Sequence, residues 1–205
     1  MGLPGDAIAI MKREWRLLAS LNALYLCVIV IGATMSLISP GLQHSMIEFT
    51  GSETISGNAG IASGPGESMA AIALCFLRSF LINTLALITV PSIVLPLWAP
   101  IIGAARFFIW GVTYVSPLEG VPGMGRLIPE YVAMLLEGEA YIIAIFAGVR
   151  QLAVALESAS ISLKWALKRY IDTVGENMGL LVIIAILLAI ASVYQAIIMP
   201  LLMAM

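Results

Sequence analysis

Long apolar stretches separated by short polar segments recur along the chain, and they predict helices that cross a membrane. A bilayer crossing takes about 20 mostly apolar residues in a helix. The stretches do not alternate between apolar and polar residues as membrane β-strands do. The pattern therefore predicts an all-α, multi-pass transmembrane helical bundle that forms a single integral membrane domain over residues 1–205. About five spans are expected, at residues 16–38, 68–90, 98–115, 127–150 and 179–199.

Two connecting segments have distinct compositions. Residues 39–67 contain six glycines and no lysine or arginine, which is typical of an outer loop. Residues 91–100 contain Pro91, Pro96 and Pro100. Because proline lacks a backbone donor and interrupts helices, this second segment predicts a broken helix or a turn, and a re-entrant segment is the alternative.

Residues 161–174 have the pattern of an amphipathic helix. Leu163, Leu167 and Tyr170 share one face, whereas Lys164 and Lys168 share another. Such a helix is suited to lying in the membrane interface. The alternative is a connector that packs on the ends of neighbouring helices. In either case the helix is expected to end at the glycines at positions 175 and 179.

Composition agrees with a membrane protein. Hydrophobic residues make up 61% of the chain, charged residues 11%, and the mean hydropathy is +1.04. A soluble domain has about 45–50% apolar and about 25% charged residues. The net charge of −2 gives no basic surface for nucleic acid. Cys27 and Cys75 lie inside apolar stretches and are interpreted as packing residues.

The distribution of basic residues predicts an orientation. Basic residues beside membrane spans favour the cytoplasmic side. We therefore expect a multi-pass protein of the cell membrane with a cytoplasmic N-terminus and a C-terminus outside. The first apolar stretch is too long for a signal peptide, so we expect it to be retained as a span. This arrangement places seven of the ten basic residues on the cytoplasmic side, namely Lys12, Arg13, Arg16, Arg150, Lys164, Lys168 and Arg169.

Several polar residues lie within the predicted spans and are the candidate functional residues. A charge at the centre of a span costs at least about 2.5–3.5 kcal/mol on insertion scales, so it usually faces protein or a wet cavity. The candidates are Glu137, Arg106, Asn83, Arg78, Glu130 and Glu139.

Helical geometry separates Glu137 from Glu139. At about 100° per residue their side chains point about 200° apart. Glu137 shares its face with a stripe of small residues that allows another helix to approach closely. We expect Glu137 to be held inside the protein, paired with Arg106, and Glu139 to face a different neighbour, a cavity or the outer headgroup region. The pair would either fix helix packing or belong to a substrate or proton pathway. The stripe consists of Ala133, Ala140, Ala144 and Gly148.

Three short motifs carry a resemblance to a known family. They are "FLIN" at residues 80–83, Gly111 in "FFIWGVTYV", and "EGEAYIIAIFAGVR" at residues 137–150. Together they resemble the stage II sporulation protein M family over about residues 70 to 153. The third motif matches through Glu137, Ala140, Ala144, Gly148 and Arg150.

The resemblance implies a five-span membrane protein without catalytic activity of its own, of the kind that recruits cell-wall hydrolases to the engulfment machinery of sporulating bacteria. The chain departs from the family pattern at two places. Trp110 stands where an asparagine precedes the glycine, and Ala133 and Met134 replace a histidine–glycine pair. A role that needs this histidine is therefore not carried over.

The residues themselves argue against an enzyme. The single histidine, His44, lies in the outer loop, and both aspartates, Asp6 and Asp172, lie outside the spans. No catalytic residues, metal site or cofactor are predicted. We expect a membrane-embedded scaffold or complex subunit whose partners are the lipid bilayer, other membrane or envelope proteins, or a second copy of the chain. The alternative is a small-molecule or ion transporter or channel that uses the buried charges.

Overall fold

The computed structural model describes residues 3–50, 65–114, 124–159 and 163–204, and every regular element in these ranges is a helix. Two of the elements, at residues 78–89 and 194–198, are π-helical and continue the α-helices before and after them. The α-helices are α1 (Leu3–Arg13), α2 (Trp15–Ile38), α3 (Pro40–Thr50), α4 (Pro65–Leu77), α5 (Val90–Val94), α6 (Trp98–Tyr114), α7 (Met124–Ala159), α8 (Leu163–Val193) and α9 (Met199–Ala204).

The described elements confirm the all-helical fold, and the length and composition of the helices are compatible with a multi-pass membrane protein. Four are long and apolar enough to cross a membrane within the described ranges. A fifth apolar helix, Trp98–Thr113, is shorter. The predicted third span coincides with this shorter helix, so a fifth crossing stays a prediction. The four longer helices are Trp15–Ile38, Met69–Val94, Ile128–Glu157 and Lys164–Leu202.

The proline-rich segment forms a tight turn between two helices. Leu95 leaves the helical conformation, with φ −126° and ψ 89°, because a residue before proline disfavours the α region. Its amide still donates to Pro91 O at 2.8 Å, and α6 begins at Trp98. The Trp98 indole donates back to Leu87 O at 2.7 Å and ties the two helices together. The segment is thus the end of one helix, a turn and the start of the next.

A long π-helical segment, Arg78–Thr89, interrupts the second membrane helix. Its wider turn is visible in the hydroxyl of Thr84, which donates to Ser79 O, five residues earlier, at 2.9 Å. The buried positions along this helix are spaced by four residues except for one step of five within the π-helical segment. The extra residue keeps all of them on one face. They are Ala71, Cys75, Ser79, Thr84, Ile88 and Ser92.

Helix α7 forms the centre of the bundle. Residues 140–148 are all buried, and α7 packs along α8 while also touching α2, α6 and the π-helical segment. At Gly148 a side chain would overlap Ala99 at the start of α6, so the glycine is needed for this approach. The four small residues of the stripe, at positions 133, 140, 144 and 148, are buried.

Helices α2 and α6 cross through two glycines. A Cβ atom at Gly111 would overlap the carbonyl oxygen of Ile29, and one at Gly32 would overlap that of Phe108. The two backbones are therefore in direct contact, as small residues allow in membrane helices. This contact holds α2, the first of the four long apolar helices, against the shorter helix α6.

The prediction that the amphipathic helix ends at Gly175 is wrong. Helix α8 does not end at Gly175 but runs without a break from Leu163 to Val193. An α-helix tolerates an isolated glycine at a modest free-energy cost, and Gly175 lies in open space. The predicted segment 161–174 is thus the first part of a longer helix, as far as residues 163–174 are described.

A short N-terminal helix was not predicted. Helix α1 packs against α8 and buries Ala7 and Ile10, while Lys12 and Arg13 stay exposed. The helix buries one face and leaves its charged residues outside, which is the pattern of an amphipathic helix. It adds a layer to the bundle at the end where α2 begins.

Candidate functional site

A set of polar side chains from three helices meets in the interior of the bundle. Ser79 and Asn83 come from the π-helical segment, Arg106 from α6, and Glu137 and Tyr141 from α7. Ser79 Oγ donates to Glu137 Oε1 at 2.7 Å. Tyr141, which is fully buried, accepts from Asn83 Nδ2 at 3.4 Å and from Arg106 Nη2 at 3.2 Å. We call these five residues the central polar cluster.

Arg106 is held mainly by aromatic rings. Its guanidinium carbon lies 4.2 Å from the centre of the Tyr141 ring and 5.4 Å from that of Trp110. A cation within about 6 Å of a ring face is attracted by the quadrupole of the ring. Among the described residues, Arg106 Nε has no hydrogen-bond acceptor. The charge is therefore only partly compensated.

The expected ion pair between Glu137 and Arg106 is not formed. The ion pairs between described residues do not include it. The two side chains are occupied by different neighbours: Glu137 accepts from Ser79, and Arg106 donates to Tyr141, one turn further along α7. The sequence pattern identified two charges at similar depth but missed the tyrosine between them.

The remaining candidates lie outside the central polar cluster. Arg78 is partly buried at the beginning of the π-helical segment. Glu130 is buried near the other end of α7, with 8% of its surface exposed. Glu139 is exposed, whereas Glu137 is partly buried. The structure thus brings together three of the six candidates, namely Asn83, Arg106 and Glu137.

Glu139 lies on the outward face of α7. It continues a row of exposed apolar residues at helical spacing, Ile128, Val132 and Leu135. It is eleven residues from Ile128, where the apolar span begins, and eleven from Arg150. These distances correspond to about 16 Å in each direction along a helix. An exposed carboxylate therefore lies near the middle of the span.

A second polar network lies at one end of the bundle. Arg150, with 5% of its surface exposed, donates through Nε to Glu14 Oε2 at 3.0 Å and through Nη2 to Glu176 Oε2 at 2.9 Å. Its Nη1 donates to Asn177 Oδ1, and Asn177 Nδ2 donates to Ala147 O at 2.9 Å. We call Glu14, Arg150, Glu176 and Asn177 the Arg150 network. It joins the start of α2 to α7 and α8.

Sequence reasoning missed this network. Arg150 was interpreted as a basic residue flanking a span and as part of the third motif of the family resemblance, and Glu14 lies among the basic residues before the first span. The signal that was available is the pair Glu176–Asn177, which lies directly before the uncharged, mostly apolar part of α8. Because the partners of Arg150 are 136 and 26 residues away, no local pattern identifies them.

Within the ranges that the structure covers, no three histidine, cysteine or acidic residues meet as ligands of a metal ion would. Comparisons with protein-family models, curated proteins and solved structures give no match. The resemblance to the stage II sporulation protein M family therefore stays a prediction. The two polar clusters and the surface around Glu139 are the features of the described residues that bear on function.

Proposed function

We propose that this protein is a membrane-embedded scaffold, a subunit of a complex that binds a partner through the face of α7 that carries Glu139. The observation behind this proposal is the exposed carboxylate near the middle of an apolar span. A charged group in contact with lipid at this depth costs at least about 2.5–3.5 kcal/mol, and such residues usually face protein or water. A partner helix that covers Glu139 removes this cost.

The chemistry of the partner follows from this surface. It offers the carboxylate of Glu139 beside the side chain of Asn22, surrounded by exposed Leu135 and Val132. A complementary helix is apolar, with one lysine, arginine or hydrogen-bond donor at mid-membrane depth. Such polar contacts between membrane helices are worth about 0.6–2 kcal/mol. Another membrane protein or a second copy of the chain meets this description.

The interior of the bundle also supports a scaffold more than a solute pathway. Polar groups of the central cluster bind one another, as Ser79 does Glu137 and Arg106 does Tyr141. The cavity between the π-helical segment, α7 and α8 measures about 20 Å³. This volume holds a water molecule but no larger solute.

The proposed topology has five spans, with a cytoplasmic N-terminus and the C-terminus outside. Two contacts support placing the start of α2, the C-terminal part of α7, the first part of α8 and α5 on the same side of the membrane. Arg150 binds Glu14, and the Tyr170 hydroxyl donates to Ile93 O at 2.7 Å. Helix α6 has 17 residues, which correspond to about 25 Å. It packs against both α2 and α7 and can cross despite being short. The first turns of α8 lie in the interface in this arrangement.

The resemblance to the stage II sporulation protein M family fits this proposal, since its members are taken to organise partner proteins in the envelope. We therefore include envelope proteins among the candidate partners.

Replacing Glu139 tests the proposal. The variant Glu139→Leu removes a lipid-exposed charge, so the isolated protein should be inserted and folded at least as well as the parent. The partner that co-purifies with the parent in mild detergent should be lost. Ile186→Ala, at an exposed apolar position of α8, is the matched control and should retain the partner. Retention of the same partner by Glu139→Leu would contradict the proposal.

A second candidate function is transport of an ion or small molecule, and one observation favours it. Arg106 has a buried nitrogen, Nε, with no acceptor among the described residues, and it shares the central polar cluster with the partly buried Glu137. A transporter requires that Glu137→Gln folds normally but loses pH-dependent flux in proteoliposomes. Equal flux in protein-free vesicles and in vesicles with the parent protein would exclude it.

A further inference from the structure

A small cavity lies between the end of the second membrane helix, α7 and α8. Its volume is about 20 Å³, and most of its wall is apolar, including Ala144, Leu180 and Ile184. Polar side chains enter the wall from the other sides. Thr89 contributes from the end of the π-helical segment, and Gln151 from α7.

Two polar atoms in this wall lack partners. Thr89 Oγ1 and Gln151 Oε1 are buried and make no hydrogen bond to any residue in the described ranges. Gln151 has only 3% of its surface exposed. Buried polar atoms are nearly always hydrogen-bonded, to protein or to ordered water. Two unpaired polar atoms in the wall of one cavity therefore favour a polar occupant.

We propose that an ordered water molecule occupies this cavity, donates a hydrogen bond to Gln151 Oε1 and bonds to the Thr89 hydroxyl. A water needs about 10–15 Å³ and two to four polar partners, and the cavity offers both. A metal cation is a poor occupant, because Ca²⁺ takes six to eight oxygen ligands and Mg²⁺ takes six. The Asn177 amide is already used, since it accepts from Arg150 and donates to Ala147 O.

The water has a structural consequence for the bundle. It connects the end of the second membrane helix, at Thr89, to Gln151, one residue after Arg150. Asn177 lines the same cavity and belongs to the Arg150 network. The water thus extends that network to a helix that the network does not otherwise reach. This inference goes beyond the proposed function and does not depend on it.

The isosteric variant Thr89→Val tests the water because a wet and a dry cavity predict opposite signs. In a dry cavity, removing an orphan hydroxyl raises stability. In a wet cavity it removes a hydrogen bond and lowers the folding equilibrium constant, by about two- to tenfold. Unfolding by SDS in mixed micelles measures this shift. Thr173→Val is the control, because it removes a helix hydroxyl that already has a hydrogen-bond partner. Thr173 Oγ1 donates to Arg169 O at 2.8 Å, and Thr173 does not line the cavity.

A coupling measurement and a direct observation complete the test. Thr89→Val and Gln151→Met should be coupled in a double-mutant cycle, although the two side chains make no direct hydrogen bond. Magnetisation transfer from water to the Gln151 side chain in bilayers should be seen in the parent and lost in Thr89→Val. Stabilisation by Thr89→Val, or absence of a water signal at Gln151 in the parent, would overturn the proposal.

Discussion

At the scale of single residues, Tyr141 supports the central polar cluster. Tyr141→Phe keeps the ring under Arg106 but removes the oxygen that accepts from Arg106 and Asn83. We expect a loss of about 1–2 kcal/mol in the free energy of unfolding. SDS unfolding of the purified protein gives this value, with Tyr194→Phe as the control because Tyr194 lies in the second π-helical segment, outside the central polar cluster.

A double-mutant cycle tests which residue interacts with Arg106. The coupling between Tyr141→Phe and Arg106→Gln should exceed that between Glu137→Gln and Arg106→Gln, because Arg106 contacts Tyr141 and not Glu137. The reverse order would mean that the direct ion pair expected from the sequence is formed after all.

Arg150 should be the most sensitive charged residue outside the central cluster. Arg150→Met leaves the carboxylates of Glu14 and Glu176 and the Asn177 amide without their shared donor. We expect a loss of about 1.5–3 kcal/mol, the range for hydrogen bonds to charged groups, because the Glu14 and Glu176 side chains are 28% and 50% exposed and remain partly hydrated without Arg150. Arg13→Gln is the control, since this 65% exposed side chain binds the same Glu14 and should matter by less than about 1 kcal/mol. Similar losses in both variants would contradict a buried network.

The sequence identified polar residues inside the membrane better than it identified their partners. The cost of inserting a charge selected Arg106 and Glu137 but also three residues outside the cluster, and Asn83 was added as a neutral companion. Helical geometry then separated Glu137 from Glu139. Pairing depends on how helices distant in the chain are placed. Arg150 with Glu14, and Ser79 with Glu137, therefore had no local signal.

At the scale of elements, Gly175 tests whether α8 is continuous. In a helix interior with open space around it, Gly175→Ala should stabilise the protein by about 0.5–1 kcal/mol. If the helix instead ended at Gly175, as expected from the sequence, the glycine at a helix end would commonly adopt a left-handed conformation, and alanine would destabilise it. Thermal unfolding in detergent distinguishes the two signs.

Gly111 is the contrasting glycine. Gly111→Ala forces a methyl group against the Ile29 carbonyl in the crossing of α2 and α6. We expect a loss of about 1–3 kcal/mol, as for overpacking of a core. A stability equal to that of the parent would show that the two helices are further apart than described.

Hydropathy predicted the membrane helices but not their details. Apolar stretches found the four long helices and the shorter α6, because each needs a length of apolar residues set by the bilayer. The sequence did not predict the π-helical segment. Its trace is one step of five residues among buried positions otherwise spaced by four, and this step is recognisable only when the buried face of the helix is known. The glycines at positions 175 and 179 were predicted to end the helix but do not, because tertiary packing overrides the low helix propensity of glycine.

At the scale of the whole molecule, the topology has a direct test. A single cysteine at position 58 should react with a membrane-impermeant reagent from outside, and one at position 164 only after permeabilisation. Cys27 and Cys75 are both free and are first replaced by alanine. Labelling of both positions from the same side would contradict five spans, which rest on α6 crossing the bilayer.

The central claim is that a partner covers Glu139, and site-specific photo-crosslinking in native membranes tests it most directly. A photoreactive amino acid at position 139 is compared with one at Ile186, an exposed apolar position on α8. The account predicts a protein adduct at 139 and only lipid adducts at 186. An adduct of twice the mass of the chain identifies a second copy, and any other mass a different membrane protein. Lipid adducts alone at position 139 would contradict the claim.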